Sequence, residues 1–288
     1  MPFTTINNKS IFYSVTPQTE DLNHPNITLF IHGLGSSSNF YHTIIPGISS
    51  QSTCIAFDTP GSGLSSLGGP PQSVNSIVED AVALLDALES TIVDGKVWVV
   101  GHSMGGMIAC ELAIQYSHRV KGLILLGPIH PSTTLSEVFS KRIAAVVKDG
   151  IEGLADTVPF AATGSKSTST HRAFIRSLIL GTSTAGYLSL CHVIAKASVP
   201  EYARISVPLM ILAGADDKTA SYEGCKLIHD SAGVTAGKKC INILPGVGHW
   251  HAIEAPHLLE EDILKFIVSI DQMEGDRPDW VFKENKSS

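Results

Sequence analysis

The chain has 288 residues and a formal net charge of −7, from 20 Lys and Arg against 27 Asp and Glu. This length fits one large domain, or one domain that carries an insertion. No run of basic residues is present, so nothing in the composition suggests a nucleic-acid-binding surface and we expect no nucleic-acid partner. No apolar stretch reaches the roughly 18 residues of a membrane span, and no secretory leader pattern opens the sequence. We therefore expect a cytoplasmic protein without a membrane span.

Short apolar runs that end in turn-forming residues predict strands, and they alternate along the chain with helical patterns. The predicted strands are residues 3–7, 11–15, 27–31, 54–57, 97–100, 120–126, 207–212 and 240–244. A turn at Asn8-Lys9 joins the first two. Helical spacing of apolar residues predicts helices at 76–89, 104–117, 221–232 and around 259–270. This alternation predicts an α/β fold, with a mostly parallel eight-stranded sheet and helices on both faces.

The alternation stops between residues 129 and 204, where the pattern is mostly helical. Residues 163–170 within this stretch are rich in Ser, Thr and Gly, which predicts a mobile loop. We interpret residues 129–204 as a helical insertion after the sixth strand. Residues 1–128 and 205–288 then form the core domain.

A G-x-S-x-G pattern, Gly101-His102-Ser103-Met104-Gly105, lies between the strand at 97–100 and the helix that follows. A tight strand-to-helix turn exposes the oxygen of its central serine, and the flanking glycines leave room for neighbouring backbone. The free N–H groups of the helix start favour negative charge beside this serine. Ser103 is therefore the candidate nucleophile.

A serine hydroxyl is a weak nucleophile at neutral pH and needs a general base. The chain has 12 histidines. His249 follows the last predicted strand, and in a parallel sheet that loop lies at the same edge as the loop of Ser103. His251 is the second candidate for the base. His32 and His102 are placed to support packing or hydrogen bonding.

The base in turn needs an acid that orients its ring and stabilises its charged form. The loop after the strand at 120–126 contains no acid, whereas Asp216 and Asp217 follow the strand at 207–212. Both aspartates also suit an ordinary turn. The residues alone do not separate the two, so either is a candidate.

Acyl transfer also requires two donors for the negative charge that develops on the carbonyl oxygen. One candidate is the backbone N–H of Met104, directly after the nucleophile. The other is the N–H of Leu34 in the loop His32-Gly33-Leu34-Gly35, where glycines allow the backbone to approach a substrate.

These motifs resemble those of the α/β-hydrolase superfamily, and they appear in the order expected for it. They are His32-Gly33, the D-x-x-G-x-G-x-S stretch at 58–65, the turn around Ser103, the G-x-x-D stretch 214–217 and Gly248-His249. The second of them carries Ser62 where histidine is common. The resemblance implies that Asp217 is the acid, and the triad order Ser103, Asp217, His249 is that of the fold. It also implies that residues 129–204 form a helical cap.

Within the superfamily the chain is most similar to 3-oxoadipate enol-lactone hydrolases and related small carboxylesterases. The resulting hypothesis is a serine hydrolase that cleaves a small-molecule ester or lactone through an acyl-enzyme on Ser103. A carbon–carbon bond hydrolase, a perhydrolase-like enzyme and a slow-turnover ligand receptor are the alternatives. No cofactor and no metal are expected. The sequence leaves the natural substrate and the oligomeric state open.

The cap is expected to select the substrate. Its apolar candidates for the cavity wall are Phe139, Phe160 and Leu188. Its arginines are candidates to hold a substrate carboxylate, although solvated surface charge is the expected role for each. They are Arg142, Arg172 and Arg176.

Overall fold

A computed structural model describes residues 3–20, 26–69, 71–88 and 95–275. Within them, eight strands form a single sheet in the order β1-β2-β4-β3-β5-β6-β7-β8. The strands are β1 (Phe3–Ile6), β2 (Lys9–Thr16), β3 (Asn26–Ile31), β4 (Ser52–Phe57), β5 (Val97–His102), β6 (Val120–Leu126), β7 (Leu209–Gly214) and β8 (Lys239–Leu244). The first two run antiparallel to their neighbours, and all other pairs are parallel. The predicted mostly parallel eight-stranded sheet is confirmed.

The described residues also form ten α-helices. They are α1 (Ile45–Ile48), α2 (Val74–Ala87), α3 (Met104–Gln115), α4 (Thr133–Asp149), α5 (Glu152–Ala161), α6 (Ser169–Leu180), α7 (Thr184–Ala195), α8 (Tyr222–Ser231), α9 (His251–Glu254) and α10 (Pro256–Gly275). Helix α2 begins two residues before the prediction because Ser73 and Ser76 form a reciprocal capping box.

Helices cover both faces of the sheet. Trp98 in β5 packs edge-on against Phe266 of α10, with ring centroids 5.8 Å apart. Gly101 of the same strand faces α3, since a Cβ added to it would lie 2.8 Å from the Cβ of Ala109. Residues an odd number of positions apart in a strand point to opposite faces. Helices α3 and α10 therefore lie on opposite sides of β5, which explains why this strand is buried along its whole length.

The first hairpin turns one residue earlier than predicted. Asn7 and Asn8 both have positive φ, at 47° and 62°, which asparagine tolerates better than most residues. Two consecutive residues of this kind make the tight turn that matches the twist of the flanking strands. Lys9, predicted in the turn, instead begins β2, and its ammonium pairs with the buried carboxylate of Asp80 in α2. The ion pair with the buried Asp80 holds Lys9 in β2, which explains why the hairpin turns one residue earlier than predicted.

Four helices, α4 to α7, lie between β6 and β7, where the sequence pattern indicated three. The additional helix is α5, which contains Pro159, a residue that normally breaks a helical pattern. Helix α4 packs against α7 and α5 packs against α6. Over the described ranges no single helix is long and apolar enough to cross a membrane, whereas α6 and α7 pass that test only as a pair bent by 96°.

Candidate active site

Ser103 lies at the turn between β5 and α3. Its φ of 55° and ψ of −115° are strained for a residue with a side chain, and its N–H is fixed by the carbonyl of Leu126 at 3.0 Å. There is no room for a side chain at Gly105, because this residue touches the neighbouring strand β3, where a Cβ would lie 2.0 Å from the carbonyl oxygen of Ile31. The G-x-S-x-G spacing is therefore a steric requirement of this turn.

The structure brings the three predicted triad residues together. His249 Nε2 lies 2.8 Å from Ser103 Oγ, and His249 Nδ1 lies 2.8 Å from Asp217 Oδ2. These partners are 146 and 32 residues apart in the chain. They meet because the loops after β5, β7 and β8 all leave the carboxyl edge of the parallel sheet.

Asp217 and Asp216 point to different partners. Asp217 Oδ1 accepts N–H groups from Thr219 and Ala220 at 2.8 and 2.9 Å, which leaves Oδ2 for His249. Burial acts to raise the pKa of Asp217, but His249, His251 and the N–H of Ala220 together outweigh it and lower the pKa to about 2. Asp216 instead accepts the N–H of Ser165 at 2.7 Å. The geometry therefore brings Asp217, the acid that the resemblance implies, to His249 and directs Asp216 to Ser165.

His251 and His102 both support the His249 loop. His251 Nδ1 lies 2.8 Å, and His102 Nε2 lies 2.7 Å, from the carbonyl oxygen of His249. A carbonyl only accepts, so both rings carry a proton on those nitrogens. Burial lowers the pKa of both imidazoles, which keeps them neutral. His251, the second candidate for the base, therefore contacts the backbone of His249 rather than Ser103.

The two predicted oxyanion donors have free N–H groups. Within the described residues, no acceptor contacts the N–H of Leu34 or of Met104. His32 sets the direction of the Leu34 N–H, since His32 Nδ1 donates to the carbonyl of Gly33 at 2.8 Å. In a trans peptide the next N–H points opposite to that carbonyl. His32 Nε2 in turn accepts the N–H of Thr59 at 3.0 Å, which fixes the ring.

The sequence analysis missed Glu254, which joins the His249 loop to the inserted helices. Glu254 Oε2 accepts the N–H groups of Gly248 at 3.0 Å and Gly164 at 2.7 Å, and Oε1 accepts that of Trp250 at 2.9 Å. His249 itself donates its N–H to the carbonyl of Ala162. A buried acid with backbone partners has no periodic signature in the sequence.

These contacts also correct the expectation for residues 163–170. The predicted mobile loop is bonded to the core at several points. Gly164 contacts Glu254, Ser165 contacts Asp216, and the N–H of Lys166 donates to the carbonyl of Gly246 at 3.1 Å. Gly164 and Ser165, two of the residues that suggested mobility, supply backbone donors for two of these bonds.

A cavity of about 130 Å³ adjoins Ser103 and His249. The inserted segment contributes mainly apolar side chains to its wall, which are Phe139, Val158, Ala161, Ala162, Ile179, Tyr187 and Ile194. Arg142 also lines it. The structure thus places Phe139 as expected.

The other candidates from the inserted segment lie elsewhere. Phe160 was predicted to line the cavity, but its side chain is 68% exposed, with the guanidinium of Arg172 over its ring at 5.2 Å. Leu188 packs against the core and is absent from the described cavity wall. Arg176 forms an exposed ion pair with Asp156. The sequence did not show which face of each inserted helix points to the cavity, because the segments that these helices pack against were unknown.

Known proteins resemble the chain in sequence and in fold. A family model described as serine aminopeptidase, S33, matches residues 23–255. The 3-oxoadipate enol-lactonase 2 of Acinetobacter baylyi is 28% identical over 240 residues, covering 79% of this chain and 86% of that protein. The 3-oxoadipate enol-lactonase 1 of the same organism is 30% identical over 197 residues, covering 66% and 70%.

A similar solved structure is the enol-lactonase from Burkholderia xenovorans, with a TM-score of 0.83 and 22% identity. The match covers 93% of this chain and 100% of that one. At this identity the likeness concerns the fold.

Proposed function

Because the chain belongs to the serine aminopeptidase S33 family of α/β-hydrolases, we propose that it hydrolyses carboxylic esters or lactones through an acyl-enzyme on Ser103. The observation that carries the proposal is the continuous hydrogen-bonded series from Ser103 Oγ through the His249 ring to Asp217. The contact between Ser103 Oγ and His249 Nε2, at 2.8 Å, has the length that direct proton transfer requires, and the contact of His249 Nδ1 with Asp217, also at 2.8 Å, orients the ring.

In the first step His249 Nε2 accepts the proton of Ser103 while the serine oxygen attacks the carbonyl carbon. The N–H groups of Leu34 and Met104 hold the oxyanion that forms. Asp217 stabilises the imidazolium and keeps the other ring proton on Nδ1. When the tetrahedral intermediate collapses, His249 gives its proton to the alkoxide leaving group, and the acyl group stays on Ser103.

In the second step His249 removes a proton from water, which attacks the acyl carbonyl. The same two N–H groups hold the second oxyanion, and His249 returns the proton to Ser103. A lactone follows the same course, except that the leaving alkoxide remains attached to the acyl group. No redox step is required.

The inserted segment 129–204 acts in this proposal as the cap. It supplies Phe139, Val158 and Ile179 to the cavity wall, and such a wall suits the apolar part of an ester or lactone. Both relatives described above are named as enol-lactonases. A lactone is an ester whose ester bond lies within a ring. Peptide cleavage from a free amino terminus fits less well, because Arg142 in this wall repels an ammonium group.

The experiment compares wild-type protein with Ser103→Ala on a panel of p-nitrophenyl esters and small lactones. We expect kcat to fall by about 10⁴-fold or more in S103A, because the nucleophile is lost while the fold is kept. Ser140→Ala is the control, since Ser140 is an exposed serine of α4. Intact-mass analysis during turnover should detect one acyl group, and peptide mapping should place it on Ser103.

Full ester hydrolysis by S103A, or an acyl group on another residue, would disprove the proposal. A single slow turnover by the wild type would instead support the receptor alternative. Turnover of diketones without turnover of esters would support the carbon–carbon hydrolase.

A further inference from the structure

Two buried histidines contact the catalytic base at a single backbone atom. His251 Nδ1 lies 2.8 Å, and His102 Nε2 lies 2.7 Å, from the main-chain carbonyl oxygen of His249. A carbonyl oxygen has two lone pairs, and the two imidazole N–H groups occupy both of them. The ring centroid of His249 lies 5.0 Å from that of His102 and 6.3 Å from that of His251. The backbone oxygen of the base is therefore fully bonded by side chains.

The main chain of His249 is bonded on both sides of its Cα. Its N–H donates to the carbonyl of Ala162 at 2.8 Å. Its carbonyl belongs to the same peptide unit as the N–H of Trp250, which donates to Glu254 Oε1 at 2.9 Å. Because a peptide unit is planar, bonds on opposite sides of the unit fix its orientation. The peptide units before and after the Cα are both held, and together they set the direction in which the imidazole leaves the backbone.

His102 also connects this carbonyl to the nucleophile, because it directly precedes Ser103 in the chain. Ser103 Oγ lies 2.8 Å from His249 Nε2, and the backbone of the same histidine is bonded to His102. The two hydrogen bonds and the covalent chain between them form a closed ring. Such a ring restrains the separation of Ser103 Oγ and His249 Nε2 more strongly than either hydrogen bond alone.

Packing holds both supporting imidazoles in place. The ring of His102 stacks on Phe40, with centroids 4.4 Å apart and planes inclined by 23°. The ring of His251 lies beside Gly127, where a Cβ would lie 2.4 Å from His251 Cε1. Gly127 also has a φ of 47°, so a side chain there would be strained as well as crowded. His251 thus occupies space that is available only because residue 127 is glycine.

The second nitrogen of each supporting ring has no partner. Within the described residues, His102 Nδ1 and His251 Nε2 are buried and form no hydrogen bond. A buried polar atom without a partner costs free energy, and an apolar side chain of similar size would avoid that cost. Packing alone therefore does not account for histidine at these two positions. What an apolar side chain could not supply is the hydrogen bond to the His249 carbonyl.

We infer that His102 and His251 are positioning residues, which set the place of His249 relative to Ser103 through their shared contact with the His249 carbonyl. The inference rests on the proposed function, since it concerns the base of that reaction. Neither residue lines the described cavity. Loss of either hydrogen bond should therefore lower kcat and leave KM nearly unchanged.

The test uses amide side chains, which place a donor at the position of one ring nitrogen only. The amide nitrogen of asparagine lies near the position of histidine Nδ1, and that of glutamine lies near Nε2. His251 donates from Nδ1 and His102 from Nε2, so the two positions should have opposite preferences. We expect kcat for a p-nitrophenyl ester to be about 10- to 100-fold higher in His251→Asn than in His251→Gln. The same ratio should favour His102→Gln over His102→Asn.

His257→Asn and His257→Gln are the matched controls, because the His257 side chain is 96% exposed on α10. Their kcat values should be equal. Circular dichroism and the thermal midpoint of each variant show whether its fold is kept. Equal kcat for Asn and Gln at positions 102 and 251, in proteins that fold, would overturn the inference. A difference confined to KM would overturn it as well.

A measurement on the wild-type protein requires neither turnover nor a substitution. Proton–nitrogen correlation NMR of the imidazole groups shows which ring nitrogen carries the proton. We expect the proton on Nε2 of His102 and on Nδ1 of His251. A proton on the other nitrogen of either ring would overturn the inference and leave the proposed function standing. The expected protons in a protein that hydrolyses no ester would instead refute the proposed function, and with it the role in catalysis, but not the two contacts.

Discussion

The loops at the carboxyl edge of the sheet and the helices inserted between β6 and β7 border the same cavity but are fixed in different ways. The edge loops follow strands that are buried along their whole length, such as β5 and β7, and these strands fix where the loops begin. The inserted helices pack mainly against each other, α4 on α7 and α5 on α6. They also contact the edge loops, among other places through polar bonds of Gly164 and Ser165.

This difference indicates a division of roles. Rigid strands hold Ser103, Asp217 and His249 in hydrogen-bonding order, which the proposed chemistry requires to within fractions of an ångström. The inserted helices contribute an apolar side chain, Phe139, and a charged one, Arg142, to the wall of the cavity. Substitutions in the first region should therefore reduce kcat, and those in the second should alter substrate preference.

The neighbouring residues Asp217 and Asp216 provide the strongest test of this division. Asp217→Asn should lower kcat by about 10³- to 10⁴-fold, because an amide that donates to Nδ1 leaves the proton of His249 on Nε2. Asp216→Asn should change kcat by less than about 5-fold, since its side-chain oxygen can still accept from Ser165. Steady-state kinetics on one p-nitrophenyl ester measures both. Equal losses in the two variants would refute the division.

Glu254 provides the next largest effect, because it contacts both regions. Glu254→Gln should lower kcat by about 10- to 100-fold, since its amide places a donor against a backbone N–H and displaces the His249 loop. Exchange of the Gly164 amide hydrogen should also become faster. Glu261→Ala is the control, an exposed acid of α10 paired with Lys265. Wild-type kinetics in E254Q would mean that the strands alone position His249.

Substitutions of Phe139 and Phe160 are expected to have the smallest effect. They compare a residue of the inserted segment that lines the cavity with one that does not. Phe139→Leu should enlarge the cavity and shift the ratio of kcat/KM between large and small esters by about 10-fold. Phe160→Leu should leave that ratio unchanged, because the Phe160 side chain is 68% exposed. Competition between two esters in one reaction measures the ratio directly. A shift in F160L as large as in F139L would show that the described cavity is not the selecting one.

Sequence patterns predicted much of the core because its constraints are local. The buried strands are continuous apolar runs, and the turn at Ser103 requires glycine at fixed spacing. Local patterns failed where the partner is distant in the chain. The hairpin register depends on Asp80, and the position of the 163–170 segment depends on Glu254, some 90 residues away. Neither contact produces a periodic pattern in the sequence.

The sequence by itself determined the sheet, the insertion after its sixth strand and the short list of residues that includes Ser103 and His249. Only the tertiary structure showed which partner each of Asp217 and Asp216 contacts, placed His251 behind His249 and brought Arg142 to the cavity. The reason is physical. Periodicity and turn sterics act over a few residues, whereas hydrogen-bond direction and cavity lining depend on which distant segments pack together.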